Sequence, residues 1–229
     1  MKDIQMPEYL YHYYELENGP FRNITRNKLE RAKEIQNSIS VGINSKRPPN
    51  YIELRFALEK RLKDAFTIKG GQPTRDDPFY FTLGECDWLK SMYSNPGVVK
   101  IPLANLDFKY LTFTYPDSMV SFQFGDEPKL ATYRKEVNGK VFLFDEIEKE
   151  IISKYGIPSQ EKWESDESMK YDRYIEAQLW DDAIIAEFQK LDFLDAKHQK
   201  TDENNPSTER IDVEFNKLTP EIKKDSLNR

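Results

Sequence analysis

The sequence predicts an α+β fold: a single domain over residues 1–195, with helices near its N-terminus and a mixed, antiparallel-rich sheet, followed by a charged tail over 196–229. Three observations predict it. Helical spacing of apolar residues dominates residues 25–66, and short aromatic and β-branched runs dominate the middle and late chain. The two textures do not alternate as regular βαβ units would. The chain of 229 residues is long enough for one good core, and 14 Phe and 13 Tyr residues offer large surfaces to bury in it.

Residues 9–14 are short and aromatic, which favours a strand, and Asn18-Gly19-Pro20 breaks it. Residues 25–39 read as an amphipathic helix capped by Asn23 or Thr25, with Leu29, Ala32, Ile35 and Ile39 on one face. Asn50 caps a second helix over 51–66, where Ile52, Phe56, Leu58, Leu62 and Phe66 fall near helical spacing, and Lys69-Gly70-Gly71 closes it. Strands are expected at 79–83, 98–103, 111–115 and 119–124, with a short helix at 86–93. The Asn138-Gly139 turn leads into a further extended run at 140–144. Asp145 caps a helix to residue 155 that buries Ile147, Ile151 and Ile152, and Gly156 and Pro158 stop it. Residues 159–171 read as a polar loop, 174–180 as a strand and 184–191 as a helix. The tail from residue 196 reads as a solvated helix or a partly disordered segment.

Net charge is −6. No global attraction therefore draws the chain to nucleic acid or an anionic membrane, although a local basic groove is left open. Cys86 is the lone cysteine and cannot form an internal disulfide; no Cys/His cluster has zinc spacing, so no metal is expected. Residues 1–7 lack the apolar core of a signal peptide, and no run approaches the ~20 apolar residues of a membrane span. The expectation is a reducing, cytoplasmic setting away from the membrane. Asp76-Asp77 and Asp181-Asp182 read as turns, and so do residues 114–118, which could also line a pocket.

Three segments carry candidate chemistry. Glu176 lies in Tyr174-Ile-Glu-Ala-Gln-Leu-Trp180, where Ile175, Ala177 and Leu179 alternate with a carboxylate and an amide. A carboxylate held on a strand can orient a sugar hydroxyl or steady a cationic sugar. His12, one of two histidines, lies in the aromatic run Tyr9-Leu-Tyr-His-Tyr-Tyr14, and Tyr80 lies in Pro78-Phe-Tyr-Phe-Thr-Leu-Gly84. Each has a plain packing role as its alternative: His12 as a hydrogen-bonded residue among tyrosines, Tyr80 as core, Glu176 as the solvent face of an edge strand. Cys86 has no partner histidine marked by a local signature, which argues against a nucleophile.

The order of these segments resembles the ADP-ribosyltransferase-like proteins. Tyr11-His-Tyr-Tyr14, a Gly-Pro turn and a helix are similar to the opening strand and loop of that fold. Pro78-Phe-Tyr-Phe81, Val99-Lys-Ile-Pro-Leu103 and Leu111-Thr-Phe-Thr-Tyr-Pro-Asp117 follow the pattern of its DNA-targeting toxins, and residues 174–180 resemble the late strand that carries the transferase glutamate. The resemblance spans residues 9–180 in element order. It implies a split sheet that binds NAD as substrate, with His12 on the nicotinamide ribose, Tyr80 stacked on nicotinamide and Glu176 catalytic. It also implies transfer of ADP-ribose to an unknown macromolecule, in a bacterial or phage conflict setting. Where the family places Thr after the first-strand His, this chain has Tyr13; the arginine-containing motif of the DNA-targeting members has no clear counterpart, although Arg22 or Arg55 could substitute.

The competing reading is a non-catalytic inhibitor, antitoxin or immunity-type protein that grips a protein partner with aromatic side chains. A degenerate transferase fold that binds a nucleotide without turning it over is a third. Convergence of His12, Tyr80 and Glu176 on one pocket speaks for the enzyme. A contiguous exposed patch of Trp88, Trp163 and Trp180 speaks for the binding protein.

Overall fold

The computed structural model describes residues 5–38, 48–183, 185–187 and 213–214. Six strands build one sheet: β1 (Tyr9–Glu15), β2 (Phe79–Leu83), β3 (Pro96–Pro102), β4 (Leu111–Thr114), β5 (Glu176–Leu179) and β6 (Val213–Glu214). Their order is β4-β5-β2-β1-β3-β6, antiparallel throughout except for β6, which runs parallel to β3. Helices α1 (Leu29–Ser38), α2 (Tyr51–Ile68), α3 (Asp87–Lys90) and α4 (Ser118–Asp126) are joined later by a helical stretch at 144–155 and a short helix at Gln160–Ser165. The fold is α+β, as the order of textures indicates. Among the described residues no helix is long and apolar enough to cross a membrane.

β1 pairs with β3 along its whole length, from Tyr9↔Pro102 to Glu15↔Pro96. It pairs with β2 only at Leu10↔Leu83 and Tyr11↔Thr82. Past Tyr11 the two strands part, so the sheet is split at its centre.

The pleat sends alternate side chains to opposite faces. One face carries Leu10, Phe79, Phe81, Leu83, Phe113 and Ala177 into the larger core, which the buried Ile147, Ile151 and Ile152 of the stretch 144–155 complete. The other face carries Tyr80, Thr82, Thr112, Thr114, Glu176 and Gln178, set in register across β2, β5 and β4. A second core beside that face joins Leu58, Leu62 and Phe66 of α2 to Phe122, Val141 and Trp180. Buried polar atoms need partners, and here they form a chain. Trp180 Nε1 donates to Thr112 Oγ1 (3.0 Å), Thr112 Oγ1 to Gln178 Oε1 (2.8 Å), and Gln178 Nε2 to both Thr114 Oγ1 (3.0 Å) and Glu176 Oε1 (2.9 Å).

Several elements differ from expectation. Residues 119–124 are not a strand but lie in α4, because the Asp117 side chain accepts from the Val120 N–H (3.1 Å) and Ser118, Ser121 and Phe122 bury one helical face. Among the described residues the run 140–144 makes a single bridge, Phe113↔Phe142. The polar stretch 159–171 is not a loop: Ser159 caps the helix Gln160–Ser165, and Glu167–Met169 forms a 3-10 turn. The expected helix at 86–93 shortens to α3, and that at 25–39 divides into a 3-10 turn at Ile24–Arg26, capped by Asn23, and α1. Leu143, not Asp145, begins the stretch at 144–155; its N–H donates to Glu146 Oε2 (2.8 Å). Asn50 precedes α2 without a side-chain cap bond. Residues 185–187 are helical; Ile39, the remainder of 184–191 and the tail 196–229, apart from Val213–Glu214, lie outside the described residues.

Candidate functional site

A cavity of about 390 Å³ opens where β1 and β2 part. His12 of β1, Tyr80 of β2 and Glu176 of β5 all line it, with Arg55 of α2 and Asp117 of the β4–α4 loop. The split sheet thus gathers the three residues singled out from sequence. Its volume falls within the ~300–1,000 Å³ range of small-molecule sites.

His12 serves as a rivet in the split. Since Leu10 is paired with Leu83, His12 shares the apolar pleat face of Phe81, and its ring lies 5.5 Å from the Phe81 ring and 4.8 Å from that of Phe21. Tyr80 and Glu176 project from the opposite face. The Tyr80 carbonyl can only accept, so His12 Nδ1 carries the proton and donates to it (2.8 Å); Nε2 then accepts from the Phe21 N–H (3.0 Å). That N–H is aimed by a left-handed backbone, φ +60° at Phe21, an uncommon state for a bulky residue. Burial lowers the His12 pKa to about 4, against the opposing pull of the Tyr80 bond, so the ring is neutral near pH 7.

Arg55 and Tyr80 of the cavity lining belong to a charged network that Glu59 completes. Arg55 Nε donates to Glu59 Oε1 (3.0 Å), and the Tyr80 hydroxyl donates to the same oxygen (2.9 Å). The Arg55 guanidinium also lies 3.7 Å over the centre of the Tyr80 ring, a cation–π contact. A planar ligand on Tyr80 therefore takes the ring's other face or displaces Arg55. Glu59 is pushed upward by burial, with Arg55 and the bonds from Thr25 and Tyr80 opposing. Burial opposes the charge on Arg55, but the groups around it, Glu59 and Glu176 among them, hold its pKa well above the ordinary value.

Glu176 is buried on an interior strand, not on the solvent face of an edge strand. Its Oε1 accepts from Gln178 Nε2 (2.9 Å) and from the Ser118 N–H (3.3 Å), which anchors that oxygen. Asp117 is its neighbour in the cavity lining. Burial and then the charge of Glu176 raise the Asp117 pKa to about 7, against the N–H groups of Val120 and Met119 and the charge of Arg55. A carboxyl group tuned near neutrality beside a second carboxylate in a cleft is the arrangement that divides acid–base work between two residues.

Trp88 and Tyr174 stack at one side of the cavity (6.3 Å), and Arg173 behind them lies 5.3 Å over Trp88 and 3.7 Å over Trp163. Trp180 is fully buried in the second core, so the three tryptophans do not form a shared surface. Burial raises the Cys86 thiol, which disfavours the thiolate a nucleophile requires. Among the described residues no group of three or more His, Cys, Asp or Glu side chains could hold a metal ion.

Sequence reasoning offered Arg55 only as an alternative to Arg22 for the transferase arginine, and did not single out Glu59 or Asp117 as site residues. Arg55 and Glu59 carried a signal: they lie on the stripe that Ile52, Leu62 and Phe66 define as buried, where helical spacing calls for apolar side chains. Asp117 was legible as part of a turn, 114–118, that could also line a pocket, and it does line this one. Comparison with protein-family models, curated proteins and solved structures finds no match.

Proposed function

We propose that this chain is an ADP-ribosyltransferase-like enzyme that cleaves NAD in the split-sheet cavity and transfers ADP-ribose to a macromolecular acceptor. The observation that carries the reading is the convergence of His12, Tyr80 and Glu176, from three separate strands, on one cavity that Asp117 also lines. In this reading Glu176, held by Gln178 and Ser118, stabilises the positive charge that develops on the ribose as nicotinamide leaves. Tyr80 offers an aromatic face to the nicotinamide, and Arg22, exposed on the cavity lining, offers charge to the pyrophosphate. With both ring nitrogens bonded to backbone, His12 holds Tyr80 and Phe21 in place; contact with ribose requires the Phe21 N–H to release Nε2.

Calorimetry with NAD followed by a nicotinamide-release assay tests this. Binding with release supports the enzyme, and Glu176→Gln is expected to lower release about 10²-fold or more. The variant keeps its stability within about 1 kcal/mol, because the amide oxygen still accepts the two donors. Unchanged release in the variant would defeat the catalytic assignment. Binding without release favours a nucleotide-binding protein that does not turn NAD over, and no binding removes the NAD reading.

A further inference from the structure

Asp117 stands apart from the residues picked from sequence. It caps α4 through Val120, and the next residue along, Ser118, gives its N–H to Glu176. The turn between β4 and α4 thus performs two tasks at once: it seats Glu176 and brings a second carboxylate to the same cavity. Glu176 is pinned through Oε1 by two donors. The two acids therefore have different surroundings.

We propose that Asp117 is the proton acceptor of the transfer step, taking the proton from the nucleophile that attacks the ribose. The inference rests on the transferase reading given above. The bond between ribose C1′ and the nicotinamide nitrogen breaks, and its electron pair stays on nicotinamide, which leaves neutral. A lone pair on an oxygen or nitrogen of the acceptor forms the new bond to C1′. The proton on that atom passes to the Asp117 carboxylate and then to solvent. The acceptor is in consequence a neutral hydroxyl, amine or amide that bears a proton, and water serves as acceptor in the hydrolytic side reaction.

The groups facing Asp117 fit this role. Glu176 on β5 and burial raise its affinity for a proton, while Arg55 on α2 lowers it, and Tyr174 borders the same space ahead of β5. The balance leaves it at about 7, where a base is both substantially ionised and basic enough to accept a proton. Activity limited by this group rises as pH increases through about 7 and then levels off.

The experiment uses the full chain, with NAD as the probe and water as acceptor. Nicotinamide release and NAD binding are measured for wild type and Asp117→Asn between pH 5.5 and 9. The asparagine keeps the oxygen that caps α4. The expected result is NAD affinity within threefold of wild type, release lowered about 10²-fold or more, and loss of the rise through pH 7. Carbon-13 NMR of protein labelled at the aspartate carboxyl carbons gives a readout independent of turnover: one resonance titrates near pH 7 and is absent from Asp117→Asn. Wild-type turnover that survives Asp117→Asn within threefold, with its pH profile intact, overturns the proton-acceptor role and leaves the transferase reading standing. The absence of the titrating resonance overturns the role as well. A wild-type protein that releases no nicotinamide overturns the transferase reading, and the role with it.

Discussion

His12 couples a hydrogen-bond rivet to acid sensitivity. Its pKa is about 4 in the fold and 6.5 ordinarily, so as pH falls the unfolded chain takes up the proton first, beginning at 6.5, and the folded chain only near 4. Stability from this group is complete above 6.5 and is lost progressively down to about 4, a change of about 2–3 kcal/mol. His12→Gln can still donate to the Tyr80 carbonyl and accept from Phe21 but cannot titrate. Urea unfolding at pH 7 and pH 4 is expected to show the wild type losing that amount more than the variant; equal losses would contradict the assignment. The sequence showed a lone histidine among tyrosines and thus a residue that needs hydrogen bonds. It could not show that both partners are main-chain atoms, since Tyr80 and Phe21 meet His12 only after the sheet has split. Glu176 was legible as a strand residue, but its burial depends on β4 and β2 flanking β5, a matter of sheet order that no local pattern encodes.

At the scale of elements, strands whose pattern matched their surroundings were readable and those whose capping decided the outcome were not. β2 has the bounds its sequence suggests, Phe79–Leu83, because an aromatic run between Pro78 and Gly84 has few alternatives. Residues 119–124 read as a strand, with Val120, Phe122 and Phe124 alternating with polar residues. The cap at Asp117 and the buried trio Ser118, Ser121 and Phe122 outweigh that alternation. The placement of α4 is enforced at its far end by a close backbone approach: a Cβ on Gly125 would sit 2.7 Å from the Gly139 Cα, while the Gly139 N–H donates to the Ser121 carbonyl (2.9 Å). Gly125→Ala is therefore expected to destabilise the protein by about 1–3 kcal/mol even though alanine favours helix. A lower urea midpoint with unchanged m-value would confirm it, and a raised midpoint would show that the turn at 138–139 can move away. The same substitution shifts the Asp117 end of α4 little, so NAD affinity should change less than stability.

For the whole molecule, the split sheet puts binding and stability on one structure. α2 is held to the sheet through Arg55, Glu59 and Tyr80, and the cavity lies against that contact. A ligand that settles there stabilises the folded state by mass action. NAD at a hundredfold over its Kd adds about 2.7 kcal/mol, which for a chain of this size raises the Tm by about 5–10 °C. Differential scanning fluorimetry checks this, and an unchanged Tm at millimolar NAD would count against binding in the cavity. The split itself was expected only through resemblance; composition and periodicity located the strands without saying which neighbours they would lose. The placement of the tryptophans has a spectroscopic consequence. Trp88 lines the cavity, Trp163 lies against the Arg173 guanidinium and Trp180 is sealed in the second core. Trp88 and Trp180 are therefore distinct optical reporters, one quenched or shifted when a ligand enters, the other red-shifted only when the core comes apart. Paired with single-tryptophan variants, they allow occupancy and unfolding to be followed separately in the same cuvette.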